Sequence, residues 1–439
     1  MAWEEAEALP CGAAKLNEKV MSPAGFEPTA PGLGILCSIL LSYGDILHPH
    51  TPPRSRRQPH PSAASRCAAA APYAQCHLTP GAMPGMTDAA ALHSALLTLD
   101  SHIDIPWPDG ADPFTQTTRH VDFPKMRAGG LDAGCFVAFV PQGPRTQEGS
   151  REATTRALAM LHTIRATAQT RAGITTRLCT TADAVEQAHQ AGALSIIPAV
   201  ENGAAIGDDL TNLTRFAELG VAYITMTHNG HNLLADSANP RRDLGDEATL
   251  HGGLSELGRA AIAEMNRLGI LVDVSHLSRQ SMLQAAMLSR VPVVATHSCA
   301  AALCDHPRNL DDQQLDALRD TEGLVQITAM PPFLRPRGRS DTVGVRDFVD
   351  HIDYVVRRIG LAHCGISSDF DGGGAITGWR NAAESQNITA ELVARGYGHT
   401  EIASLWGGNF LRLMRVAQDK RDVGTASADP AAQMPSPAV

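Results

Sequence analysis

No uninterrupted apolar run in the 439 residues approaches the roughly 20 that a membrane-spanning helix needs. Positive charge is not in excess either. The formal net charge is -10, which argues against nucleic acid and anionic membrane surfaces as partners. No C-x-x-C pair occurs among the nine cysteines, and nine is odd, so neither a zinc ribbon nor a disulfide framework is expected. A reducing, cytoplasmic compartment is the expectation. No glycine-rich phosphate loop follows the first strand-like run, which removes a common nucleotide-binding signature. Lysine is nearly missing after residue 86, where only Lys125 and Lys420 occur. What is present, 44% hydrophobic and 19% charged residues, is the balance of a globular protein.

The first 85 residues differ in kind from the rest. They hold 12 of the 28 prolines and four of the nine cysteines, Cys11, Cys37, Cys67 and Cys76. Their apolar patch, PGLGILCSILLSYGDIL, lacks the basic stretch that leads a signal peptide. Residues 1–85 therefore read as a non-native or disordered N-terminal extension. A start placed too early is the first reading and a targeting segment the alternative. Met86 opens the folded body, expected over 86–418, and the small, polar 419–439 reads as a disordered tail.

From Met86 the pattern is regular. Eight apolar runs, at 97–105, 133–140, 194–200, 221–227, 270–274, 291–295, 324–329 and 364–368, read as buried parallel strands. Helical segments lie between most of them. The first, 151–170, carries Ala157, Leu158, Leu161 and Ile164 at helical spacing. Another, 255–269, opens on Ser255 as N-cap and closes on a glycine, and 343–360 also stops at a glycine. This alternation predicts an α/β fold, a single (β/α)8 TIM barrel. An open doubly wound sheet would alternate too, but it usually lacks so many polar residues at successive strand tips.

Those tips carry the chemistry. The segment 269–298 has one apolar run stopping at His276 and a second stopping at His297. The first strand ends in His102-x-Asp104, and residues two apart on a strand point the same way, so both reach one ion. The third ends in Glu201, the fourth in His228 and the eighth in Asp369. Six of eight strands thus present His, Asp or Glu at one edge, a nitrogen and oxygen set suited to zinc or a similar divalent ion. That is more than one tetrahedral ion uses, and two ions sharing a carboxylate would use it well. Neither lysine of the body follows a strand tip, so a lysine-derived bridge is excluded and Glu201 is the central candidate. Cys299 and Cys304 lie close by in sequence and read as buried, inert thiols. His231, His251, His306 and His363 read as loop or surface residues. Trp107, past the first strand, either walls the pocket or packs.

In order, DSHID, VENG, THNGHNLLAD, VDVSH, THS with Arg308-Asn309 eleven residues on, SDFDG and the closing GGNFLRLMRV are present. This series resembles the membrane dipeptidase (renal dipeptidase) family, peptidase family M19, within the amidohydrolase-like metal barrels. It covers about Met86 to Val416; the order is specific, whereas HxD alone is weak. The resemblance implies a zinc-dependent dipeptidase with a binuclear metal site at the C-terminal ends of the strands. His102 and Asp104 would hold one zinc, His276 and His297 the other, and Glu201 would bridge. A metal-bridging hydroxide would attack the scissile carbonyl, with Asp369 carrying the proton and His228 stabilising the oxyanion. Arg308 would bind the substrate's free C-terminal carboxylate, a task its planar fork suits. The expected partner is a small dipeptide, not nucleic acid or membrane, and a homodimer is left open. Two alternatives stand: another metal-dependent amidohydrolase (amidase, lactonase or deaminase), or an inactive barrel used for binding.

Overall fold

The computed structural model describes residues 86–105 and 110–421. The expectations for 1–85, for Trp107 and for the tail past residue 421 lie outside the described residues. Ten strands form the sheet: β1 Leu99–Asp104, β2 Ala133–Phe139, β3 Thr170–Arg171, β4 Ile174–Leu178, β5 Leu194–Glu201, β6 Tyr223–Thr225, β7 Leu271–Asp273, β8 Val294–Ser298, β9 Leu324–Thr328 and β10 Cys364–Ser367. Eight of them run side by side, all parallel, in the order β1-β2-β5-β6-β7-β8-β9-β10. The ring closes just past β10, where Asp369 N donates to His102 O at 3.1 Å and Asp104 N to Phe370 O at 3.0 Å. The eight expected runs are these eight strands, and the fold is a (β/α)8 barrel.

Parallel neighbours need a crossover after every strand, and the helices supply it. Glu256–Leu268 begins where the Ser255 side chain accepts from Gly258 N and ends at Gly269, whose φ of 75° only glycine adopts freely. Val345–Ile359 buries Phe348, Val349, Ile352, Val355 and Ile359 along one stripe and stops at Gly360. The first residues of several strands (Leu99, Ala133, Leu271, Val294, Leu324) share an apolar cluster with Phe410, Leu413 and Met414 of the last helix, Asn409–Asp419. That end of the barrel is core, which leaves the opposite, C-terminal edge for polar groups.

Three features depart from the expectation. Thr170–Arg171 pairs antiparallel with Ile174–Leu178, a hairpin that was not expected and that begins at 170, where the helix 151–170 was expected to end; that helix is Gln147–Ala166. The turn places Ala172 at φ 51° and Gly173 at φ 77°. Two positive φ values suit a two-residue hairpin turn, but Ala is not a residue that advertises one. The ladders of β6 and β7 are only three residues each, shorter than their apolar runs. Pairing slips register between Asp100 and Ile103 and again between Ala295 and Ser298. Such irregularities re-aim side chains, and the two bracket His102 and His297.

Candidate metal centre

Seven side chains meet over the C-terminal mouth of the barrel. In three overlapping groups, His102–Glu201–His297, Glu201–His228–His276 and His102–Asp104–Asp369, one potential ligand atom per residue lies within 4.8 Å of the others. Glu201, at the last position of β5, belongs to two groups. Its Oε2 is 3.6 Å from His102 Nε2, and its Oε1 is 3.2 Å from His276 Nε2 and 3.5 Å from His297 Nε2. His228 Nε2 lies 3.9 Å from Oε1, and Asp104 Oδ2 lies 3.9 Å from His102 Nε2. One carboxylate therefore faces a different histidine set with each oxygen.

The backbone is bent to bring these groups inward. His276 sits at φ 66°, Asp369 at φ 59°, and Asn202, next to Glu201, at φ 83°. Left-handed backbone is costly for residues with a Cβ, least so for His, Asn and Asp, and where it persists it marks a site the fold over-determines. Asn202 is fixed by donating to Val140 O at 3.0 Å and to Gln142 Oε1 at 3.2 Å.

The donor set fits a divalent cation. His102 is fully buried, and among the described residues its Nε2 has no hydrogen-bond partner. Its Nδ1 is 3.0 Å from the Tyr223 hydroxyl, which donates to Ser101 O at 2.8 Å and so must accept from the ring. The ring proton is thereby placed on Nδ1, and the Nε2 lone pair faces the carboxylates. The carboxylates around it favour a proton on that lone pair. Burial opposes the charge, but Glu201, with help from Asp104 and Asp369, outweighs it and raises the imidazole to about 10. A bound cation would displace that proton. Burial and then Glu201 push the Asp104 carboxyl well above the usual range. Burial works against Glu201 as well, yet His102 and His228 beside it hold it well below. His276 and His297 are pushed well below the ordinary imidazole value, by burial first and then by neighbouring positive groups, Arg308 among them. Of these three rings, His276 and His297 are thus held neutral, the form in which an imidazole binds a metal.

The remaining expected residues fall beside this cluster. His228 rests edge-on against Phe139 at 4.7 Å, and burial, aided by Arg308, lowers it to about 4 against the pull of Glu201. Arg308 is buried, with its guanidinium 5.4 Å from the Phe333 ring and Nη2 donating to His297 O at 3.3 Å. Burial pushes Asp369 up to about 7, with Glu201 adding and His102 opposing. Cys299 and Cys304 are buried thiols donating to Thr328 O and Pro332 O, and burial raises both. Of the histidines read as loop or surface residues, His231 lies in a loop but is wholly buried, accepting from Ser237 N at 3.0 Å, and His363 is buried too. His231 pins the THNGHN loop and is distant from the ligand groups in role. Phe139 and Tyr223 went unread in the sequence, because each sits inside an apolar run where nothing distinguishes it from core.

A parallel barrel with a donor set that could hold a metal at this edge is the architecture of the amidohydrolase-like metal barrels. Comparison with known proteins narrows it. The model of the Membrane dipeptidase family (Peptidase family M19) matches residues 86–427, and the chain belongs to that family. It is a hydrolase acting on peptide bonds. Dipeptidase aclJ from Aspergillus oryzae is 31% identical over 364 residues, covering 77% of this chain and 84% of that protein. A probable dipeptidase, PvdM, from Pseudomonas aeruginosa superposes with a TM-score of 0.71 at 29% identity, covering 76% of this chain and 98% of the other. A metallopeptidase from Rhodobacter sphaeroides, solved with a phosphinate mimic of the dipeptide L-Ala-D-Ala, gives a TM-score of 0.65 at 28% identity, covering 73% and 99%. Among the described residues no helix is long and apolar enough to cross a membrane.

Proposed function

We propose that this protein hydrolyses dipeptides that carry a free C-terminal carboxylate, using two zinc ions. The observation that carries the reading is the division of Glu201, whose two oxygens face separate histidines at 3.6 Å on one side and 3.2 and 3.5 Å on the other. His102 and Asp104 would hold one ion, His276 and His297 the second, with Glu201 shared. When bound, the ions supply Lewis acidity, which makes water a usable nucleophile at neutral pH and polarises a carbonyl. The likeness to dipeptidases, one of them solved with a dipeptide mimic, supports the substrate class.

The chain's own residues supply the rest. Asp369, with a carboxyl near 7, can both accept and release a proton at neutral pH. His228 is neutral there and can donate its N–H to the oxygen on which negative charge develops. Arg308 provides a buried positive charge at the edge of the cluster for the substrate carboxylate.

Elemental analysis of protein prepared without chelator is expected to give two divalent ions per chain, mainly zinc. One ion at full activity would remove the shared-carboxylate scheme. Arg308→Ala is expected to raise KM for dipeptides with free C-termini and to erase their advantage over amidated ones. Loss of a charge-assisted hydrogen bond costs about 1.5–3 kcal/mol, roughly ten- to a hundredfold. An unchanged ratio between free and amidated substrates would make Arg308 a packing residue only.

A further inference from the structure

Beneath His297 lies a buried carboxylate that the scheme above leaves unused. Asp273, the last residue of β7, is fully buried. It accepts four hydrogen bonds, from Thr225 Oγ1 at 2.5 Å, Thr296 Oγ1 at 2.7 Å, Ser275 N at 2.9 Å and Thr296 N at 3.0 Å. Every partner donates, so the Thr296 hydroxyl proton is committed to Asp273. Only the lone pairs of that oxygen remain, and His297 Nδ1 is 2.9 Å away. An oxygen that can only accept forces Nδ1 to carry the ring proton. Nε2 is then bare and faces Glu201 Oε1 at 3.5 Å.

The geometry points to Thr296, held by Asp273, as a positioning residue that fixes the tautomer of His297 and so presents Nε2 to a metal. The inference rests on the metal reading above. It differs from simple satisfaction of a buried carboxylate in a way the structure itself makes testable. Thr225 satisfies the same carboxylate oxygen with a short bond of 2.5 Å, against 2.7 Å from Thr296, and among the described residues it has no hydrogen bond to an imidazole. Thr225→Val and Thr296→Val therefore each remove a hydroxyl from Asp273, and only the second releases His297; the Thr296 hydroxyl is also 3.5 Å from His102 Nδ1, a ring that Tyr223 still holds at 3.0 Å.

The test measures zinc affinity of the full chain by competition with a chromophoric chelator, and the absorption of the cobalt(II)-substituted protein. Thr296→Val is expected to weaken zinc binding about 10–100-fold, the usual effect of losing such a partner, and to alter the cobalt spectrum. Thr296→Ser, which keeps the hydroxyl, restores both, and Thr225→Val leaves both near wild type. Equal weakening by the two valine variants overturns the proposal. If Thr296→Val does not fold, nitrogen-15 spectra of the histidines in the zinc-loaded wild type decide: a proton on Nδ1 of His297 supports it, and a metal-bound Nδ1 overturns it. A wild-type count below two ions overturns the two-ion reading and not this assignment, which the spectrum reads separately.

Discussion

Asp369→Asn is expected to keep both metals and to lower kcat by about 10²–10⁴-fold, the range of a general acid–base contribution, with little change in KM. Amide hydrolysis takes a proton from the attacking water and delivers one to a poor leaving amine. A single carboxyl poised near 7 can do both in turn, and Asp369 is in that position beside Asp104 and His102. Asn keeps the size and a hydrogen bond but carries no proton. Asp371, two residues on, is not a substitute. Its oxygens accept from His120 N at 2.9 Å and Val121 N at 3.1 Å, and it pairs with Arg119 at 3.2 Å, so it ties a loop to the barrel rim. Metal content and kcat are to be measured on one preparation. Loss of a metal would make Asp369 a ligand. Both metals with near-normal kcat would place the proton carrier elsewhere.

The strands and their polar tips were legible because parallel strands buried on both faces leave long apolar runs, and a run that ends on His, Asp or Glu is conspicuous. His102, Asp104, Glu201, His228, His276, His297 and Asp369 all belong to this kind, and the structure gathers them. What supports them was not legible. Tyr223 is a hydroxyl in an apolar strand, Asp273 an acid inside VDVSH, and Thr296 a small polar residue beside a ligand candidate. Their roles exist only as hydrogen bonds across strands, as with Tyr223 and His102, 121 residues apart. The register slips were hidden for the same reason, since register belongs to a pair of strands and not to either one. The hairpin 170–178 escaped because an Ala holds a positive φ that sequence reasoning reserves for Gly, Asn or Asp. Arg308 shows the intermediate case: its motif was visible, whereas its burial against Phe333 was not.

Glu201→Gln is expected to remove activity more completely than Asp369→Asn, by more than about 10⁴-fold, the upper end of what proton transfer alone contributes. The substitution keeps the shape of the side chain, so the protein is expected to fold. It replaces one of the two oxygens by an amide nitrogen, which has no lone pair to give a metal. It also deletes the negative charge that the crowded imidazoles face. Both consequences fall on both ions, because the two oxygens of Glu201 face different histidines. Metal content should drop below two per chain, and His102, no longer raised chiefly by Glu201, should lose much of its tendency to hold a proton. The two variants are then separable by a single manipulation. Added zinc should recover part of the Glu201→Gln activity, since affinity is what was lost, and should do nothing for Asp369→Asn, in which the ions are already bound. If Glu201→Gln retained two ions at wild-type affinity, the carboxylate would not be the shared ligand, and the two halves of the centre would have to be held by His102, Asp104 and Asp369 on one side and His228, His276 and His297 on the other.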